Sequence, residues 1–254
     1  MGPGRKPVLA GNWKMFKTGA EAAAFARELR PRVSMIHDAE IVVCPPFTAL
    51  SAALQALTGS NVQVGAQDVY WEAEGAFTGE VSAPMLKEAG CRWVIVGHSE
   101  RRQLFGETDE AVARKAAAAL GAGLSPIVCV GETLAEREAA RTLDVVGRQI
   151  RTGLGGLSEE QMAGLVVAYE PVWAIGTGKV ATPTQAEEVH QAIRSLVREI
   201  HGASAAGALR ILYGGSVKAG NVAELMSQPD VDGALVGGAS LSAESFAAIV
   251  RWRG

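Results

Sequence analysis

Apolar residues in this chain come in short runs, separated by stretches where they recur every three or four positions. Eight of the runs have the make-up of β-strands: VLAGN (8–12), IVVCP (41–45), VQVGA (62–66), WVIVGH (93–98), PIVCVGE (126–132), LVVAYE (165–170), RILYGG (210–215) and GALVGG (233–238). Most are apolar throughout rather than alternating, the pattern of strands covered on both faces in a parallel sheet. Between them the period is helical. TGAE at 18–21 forms a capping box, and Ala22, Phe25, Ala26 and Leu29 follow on one face. TPTQ at 182–185 forms another, with Pro183 at the first helical position and a single stripe of Val189, Ile193, Leu196, Val197 and Ile200 behind it. The helix expected near 108–120 opens with Asp109 and Glu110, which suit the positive end of its dipole.

Eight strands alternating with helices predict an α/β fold, a single (β/α)8 barrel domain over residues 1–254. A doubly wound open sheet is the alternative that pattern alone leaves open. No shift of composition and no linker divides the chain.

Composition narrows the partners. Hydrophobic residues make up 48% and charged residues 20%, which suits a globular protein with a sizeable core. The net charge is −3 with no long run of one sign, so neither nucleic acid nor an anionic membrane is expected, and attraction for an anionic substrate has to be local. AAAALGAGLSPIVCV, the most apolar stretch, is broken by glycine, serine and proline, so no membrane span is expected. MGPGRKPVLAGNWK lacks a signal-peptide core, and Lys6 stands where N-myristoylation wants serine or threonine. Cys44, Cys91 and Cys129 have no metal-ligand spacing. Cys44 and Cys129 fall in apolar runs and read as small buried hydrophobes in a reducing compartment, so a cytoplasmic protein is expected.

In such a barrel the chemistry belongs at the carboxyl ends of the strands. Asn12 and Lys14 lie there after the first run, His98 after the fourth and Glu170 after the sixth. Each has a plainer reading as a solvated lysine, a hydrogen-bonded structural histidine or an acid facing water. Glu170 sits where LVVAY stops and PVWAIGTG begins, which also fits a base beneath a cover. YGGSV and VGGAS could be ordinary tight turns. They match neither a Walker loop nor a dinucleotide fingerprint, but they follow runs seven and eight, where barrels of this kind bind phosphate through backbone N–H groups.

AGNWKM (10–15), GAFTGE (75–80), VGHSERR (96–102), CVGE (129–132), YEPVWAIGTGK (169–179), YGGSV (213–217) and VGGASL (236–241) resemble, in that order, the triosephosphate isomerase family, from about Lys6 to Val250. The resemblance implies interconversion of dihydroxyacetone phosphate and glyceraldehyde 3-phosphate in glycolysis and gluconeogenesis, through an enediolate, without metal or organic cofactor. It implies Glu170 as the general base and His98 as the electrophile at the carbonyl oxygen. Asn12 and Lys14 would orient the substrate and stabilise its developing charge. Ser216, Gly237 and Gly238 would bind the phosphate, joined by Gly176 when the 171–182 segment closes as a lid. The family's histidine acts neutral at a helix N-terminus, and SERRQLF after His98 is consistent with a helical turn there; the residues alone leave its protonation state open. The long segment 67–82, with Tyr70, Trp71 and Phe77, either folds on its own barrel or enters a partner. By resemblance it makes a homodimer, with Thr78 near the partner's Asn12 and Lys14. Two other readings remain: an aldolase or lyase using Lys14 as an imine-forming amine, and a non-catalytic phosphosugar-binding barrel.

Overall fold

The computed structural model describes residues 4–177 and 179–253; Gly178, in the expected cover segment, lies outside them. The eight strands are β1 (Val8–Asn12), β2 (Glu40–Cys44), β3 (Val62–Ala66), β4 (Trp93–Val96), β5 (Ser125–Val130), β6 (Val166–Tyr169), β7 (Arg210–Tyr213) and β8 (Gly233–Val236). All pairs are parallel, and the ring closes where β1 meets β8 with Val8 opposite Gly233 and Gly11 opposite Val236. That closure makes the fold a (β/α)8 barrel and removes the open-sheet alternative.

The continuous apolar runs are explained by two packing layers. Val8, Ala10, Val42, Trp93, Ile95, Ile127, Val166, Ala168, Leu212 and Leu235 fill the barrel interior together with Cys44 and Cys129. Their neighbours in sequence, such as Leu9, Val43, Val96, Val128, Val167 and Ile211, face outward and pack under the helices. Neither face of these strands meets water, so no polar alternation appears. Six of the expected runs overshoot the ladder at their carboxyl ends, IVVCP by Pro45 alone. Their glycine and polar tails, such as Gly97–His98 and Gly214–Gly215, leave the sheet as the rim loops.

Helix ends follow side-chain capping. Thr18 with Glu21 and Thr182 with Gln185 form the expected capping boxes, and Pro183 opens its helix. Thr133 with Glu136 and Ser158 with Gln161 form two more. Ala22, Phe25, Ala26 and Leu29 are all buried. Val189, Ile193 and Val197 are buried, while Leu196 and Ile200 are partly so, packed against the same core. The helix Pro183–Ala208 is interrupted at Gly202, where φ is 89°. Its Arg194 donates to Asp230 Oδ1 at 2.5 Å, Asp232 Oδ2 at 2.7 Å and the carbonyls of Ala206 and Leu209 at 2.6 and 2.7 Å. A buried charge needs such partners to offset lost hydration. This network ties the far end of the 171–182 segment to the barrel. All three cysteines are buried free thiols. Among the described residues no helix is long and apolar enough to cross a membrane.

Gly233 sits at the closure. Its φ is 152°, and a Cβ built there falls 2.0 Å from the Val8 carbonyl oxygen. Gly233→Ala is therefore expected to destabilise the barrel by about 3 kcal/mol or more, the range of strained backbone plus overpacking. Urea unfolding at matched protein concentration checks this, and an unchanged midpoint would remove the closure argument.

Candidate active site

Asn12, the last residue of β1, turns the chain into the site. Its buried Oδ1 accepts the Lys14 N–H at 3.0 Å. Lys14 has φ 52°, a left-handed conformation that lysine adopts at a cost of about 1–3 kcal/mol. Gln67 holds that geometry, its Nε2 donating to the carbonyls of Lys14 and Cys44, both at 2.8 Å. The Lys14 ammonium reaches Glu100 Oε1 at 2.5 Å.

His98 lies two residues past β4 and caps the helix Ser99–Phe105. Its Nδ1 accepts the Glu100 N–H at 3.2 Å, so in the neutral ring the proton sits on Nε2. Nε2 faces Glu170 Oε1 at 2.9 Å, and Glu170 Oε2 accepts the Ser99 N–H at 2.8 Å. Both carboxylate oxygens of the buried Glu170 are thus held by the β4 rim. Burial works against charge on this carboxyl. His98, the Ser99 N–H and Lys14 outweigh it and hold Glu170 below the ordinary glutamate value. Burial likewise opposes the imidazolium at His98, but the carboxylates of Glu170 and Glu100 raise the ring's pKa.

The backbone around Glu170 leaves no slack. Its N–H donates to Val130 O at 2.7 Å, and a Cβ added at Gly131 would fall 1.7 Å from the Glu170 carbonyl oxygen. Gln149 clasps the Gly131 peptide, accepting its N–H at 2.7 Å and donating to its carbonyl at 3.2 Å. Beyond Glu170, Val172–Ala174 make a short 3-10 turn. Fully buried Glu132 fixes that turn, accepting from Trp173 Nε1 at 2.8 Å, Tyr169 Oη at 3.1 Å and Arg137 at 3.4 Å. Thr177 Oγ1 donates to the Trp173 carbonyl at 2.7 Å.

All eight residues singled out in the sequence line one cavity of about 260 Å³: Asn12, Lys14, His98, Glu170, Gly176, Ser216, Gly237 and Gly238. The glycine-rich segments after β7 and β8 lie against the polar quartet, a Cβ built at Gly237 falling 3.6 Å from Lys14 Cε and one at Gly214 2.8 Å from Glu170 Cγ. A larger hollow of about 410 Å³ lies behind Glu170, where Arg102 and Arg148 are both paired with Asp109, at 2.5 and 3.1 Å. Among the described residues, no group of three or more His, Cys, Asp and Glu could hold a metal ion.

Sequence reasoning passed over Gln67, Glu100, Glu132 and Lys218. Glu100 and Glu132 stand inside the recognised VGHSERR and CVGE motifs, so a signal was present. Gln67 and Lys218 become visible only once the rim is assembled, Lys218 at the cavity mouth.

The geometry agrees with comparison across the whole chain. The sequence model of the family described as Triosephosphate isomerase matches residues 7–253. A protein of Moorella thermoacetica named triosephosphate isomerase is 63% identical over 248 residues, covering 98% of this chain and 99% of its own. Proteins of the same name from Trichlorobacter lovleyi and Solibacter usitatus are 60% and 59% identical, each over 98% of this chain and 100% of their own. With fold, rim and sequence in agreement from the first strand to the last helix, the chain belongs to the triosephosphate isomerase family.

Proposed function

We propose that this chain interconverts dihydroxyacetone phosphate and D-glyceraldehyde 3-phosphate, with Glu170 as the base and His98 as the electrophile. The observation that carries the reading is the 2.9 Å contact of His98 Nε2 with Glu170 Oε1, at the wall of a cavity that also holds Lys14 and the glycine segments. Glu170, kept ionised by its partners, takes a proton from the carbon beside the carbonyl and returns it to the neighbouring carbon. His98 Nε2–H donates to the carbonyl oxygen, while Nδ1 stays occupied by the Glu100 N–H. Substrate entry replaces the direct His98–Glu170 contact, since both groups then face the triose. Asn12 and Lys14 orient the substrate, and the ammonium stabilises the enediolate. Backbone N–H groups at Ser216, Gly237 and Gly238 receive the phosphate, with Gly176 joining from above.

Two rivals fit less well. An imine-forming aldolase needs a free amine, whereas the Lys14 nitrogen is ion-paired with Glu100 at 2.5 Å. A pure binding module has no use for a carboxylate and an imidazole aligned at the same wall. Three buried free thiols suit action in the cytoplasm, in glycolysis and gluconeogenesis.

The segment 171–182 serves as a lid. Glu132 and Trp173 stiffen one end, Thr182 caps the helix at the other, and Ile175 and Gly176 lie over the cavity. Closure excludes water from the enediolate. Residues 67–82 serve as a dimer arm. Tyr70 stacks on Trp71 at 4.2 Å and meets Phe77 at 4.6 Å, while residues 72–80 project into solvent. A groove of about 290 Å³ beside Lys14 carries exposed Met15, Phe47 and Phe105. The occupant that fits is the arm tip of a second copy, Thr78 included, with two-fold symmetry making both grooves equivalent.

Glu170→Gln is expected to keep substrate affinity and lower kcat by about 10²–10⁴-fold in a coupled assay. Removing the carboxylate charge that raises the His98 pKa should also move the imidazole titration to lower pH in NMR. Near-normal turnover or an unmoved titration would sink the assignment. Deleting Ile175–Gly178 is expected to release methylglyoxal during turnover, and a clean product would leave the segment an inert loop. Removing residues 73–79 is expected to convert a dimer into a monomer of much reduced activity. Sedimentation and kinetics check this, and a fully active parent monomer would refute the arm.

A further inference from the structure

The charge of the candidate cavity is partly offset before any dianion arrives. Lys14 is neutralised by Glu100 at 2.5 Å, and Glu170 is an additional carboxylate. The backbone N–H groups of the glycine segments act only at contact. Among the described residues of the lining, Lys218 is the one remaining lysine or arginine. Its side chain is exposed at the mouth and has no ion pair or hydrogen bond among the described residues.

The backbone of Lys218, by contrast, is fixed. Its N–H donates to Asn221 Oδ1 at 2.8 Å, and its carbonyl accepts from the N–H groups of Asn221 and Val222, both at 3.1 Å. Asn221 Nδ2 donates in turn to the Ser216 carbonyl at 3.0 Å. One asparagine therefore ties Lys218 to Ser216, the residue assigned above to the phosphate. The Cα of Lys218 is held beside the phosphate end while its ammonium stays free to move.

We propose that Lys218 is a substrate-recruiting residue of this isomerase, a mobile cation that draws the phosphate dianion into the cavity and discriminates against neutral trioses. The proposal rests on the function given above. A free ammonium at a cleft lined by low-dielectric walls raises the local concentration of an anion and its capture rate. Exposure limits how tightly it binds the phosphate in the closed complex, so its effect falls on kcat/KM rather than kcat. Salt must erase the effect, because the screening length shrinks from about 30 Å at 0.01 M to about 3 Å at 1 M.

The test compares the parent with Lys218→Ala, Lys218→Glu and Lys218→Arg. At low ionic strength Lys218→Ala is expected to lose about three- to tenfold in kcat/KM for glyceraldehyde 3-phosphate, and Lys218→Glu more, with Lys218→Arg near the parent. The curves should converge at high salt, with kcat held within about twofold. Calorimetric affinity for inorganic phosphate should fall in the same order. Equal phosphate affinity and equal low-salt kcat/KM in the parent and Lys218→Ala would overturn the proposal. So would a loss that is independent of salt and shared by kcat. If the parent fails to isomerise either triose phosphate, the functional reading falls, while the phosphate titration still judges Lys218.

Discussion

Closure of the parallel ladder between β1 and β8 is the constraint on which the rest depends. Once the ring closes, strand backbone groups are paired and both strand faces are covered, so polar side chains find room only at the rims. The chain leaves each strand on the same side, and Asn12, His98 and Glu170 converge there although they are remote in sequence. Close approaches such as Gly233 to Val8 and Gly131 to Glu170 keep the ring tight enough for that convergence to have a fixed geometry.

Rigidity at the rim comes from side chains that bind backbone. Gln67 holds the strained Lys14 turn by its carbonyl, Gln149 clasps the Gly131 peptide, and Asn221 brackets Ser216 and Lys218. Each amide serves a loop segment that has no ladder partner. Satisfying those groups with neutral amides avoids adding charge near a site whose electrostatics are finely balanced. Glu132 is the exception. It is fully buried, and Arg137 lies at its edge while Tyr169 and Trp173 donate to it.

Much of this was legible in the residues, for reasons that can be named. The eight apolar runs mark eight strands because burial on both faces leaves a signal in every position. β1 and β3 match their runs residue for residue, whereas the tails after Val96, Val130, Tyr213 and Val236 leave the ladder where glycine follows, and those after Cys44 and Tyr169 where Pro45 and Glu170-Pro171 follow. The capping boxes at Thr18 and Thr182 are local chemistry and read directly. The eight site residues stood at run ends or in motifs and share one cavity. Gln67 and Asn221 could not be read the same way. The bonds of Gln67 join segments whose proximity is created by closure, those of Asn221 stay within its own loop, and an isolated amide in a loop carries no pattern.

The resting site solves a problem that buried catalysts share. A carboxylate as enclosed as Glu170 is costly unless its oxygens have donors, and a buried imidazole needs both nitrogens engaged. Here each supplies the other, with the Ser99 and Glu100 N–H groups completing the set. In the proposed reaction substrate enters by exchange, its carbonyl oxygen taking the Nε2–H while its acidic C–H faces the carboxylate. The bond given up is charge-assisted and the carboxylate faces only a C–H in return, so the swap costs binding energy that other contacts must supply. In that reading the phosphate, far from the reacting carbons, supplies the remaining interactions that position the triose. On the proposed function, the glycine segments and Lys218 would govern capture, and the carboxylate–imidazole pair would be left to govern proton transfer.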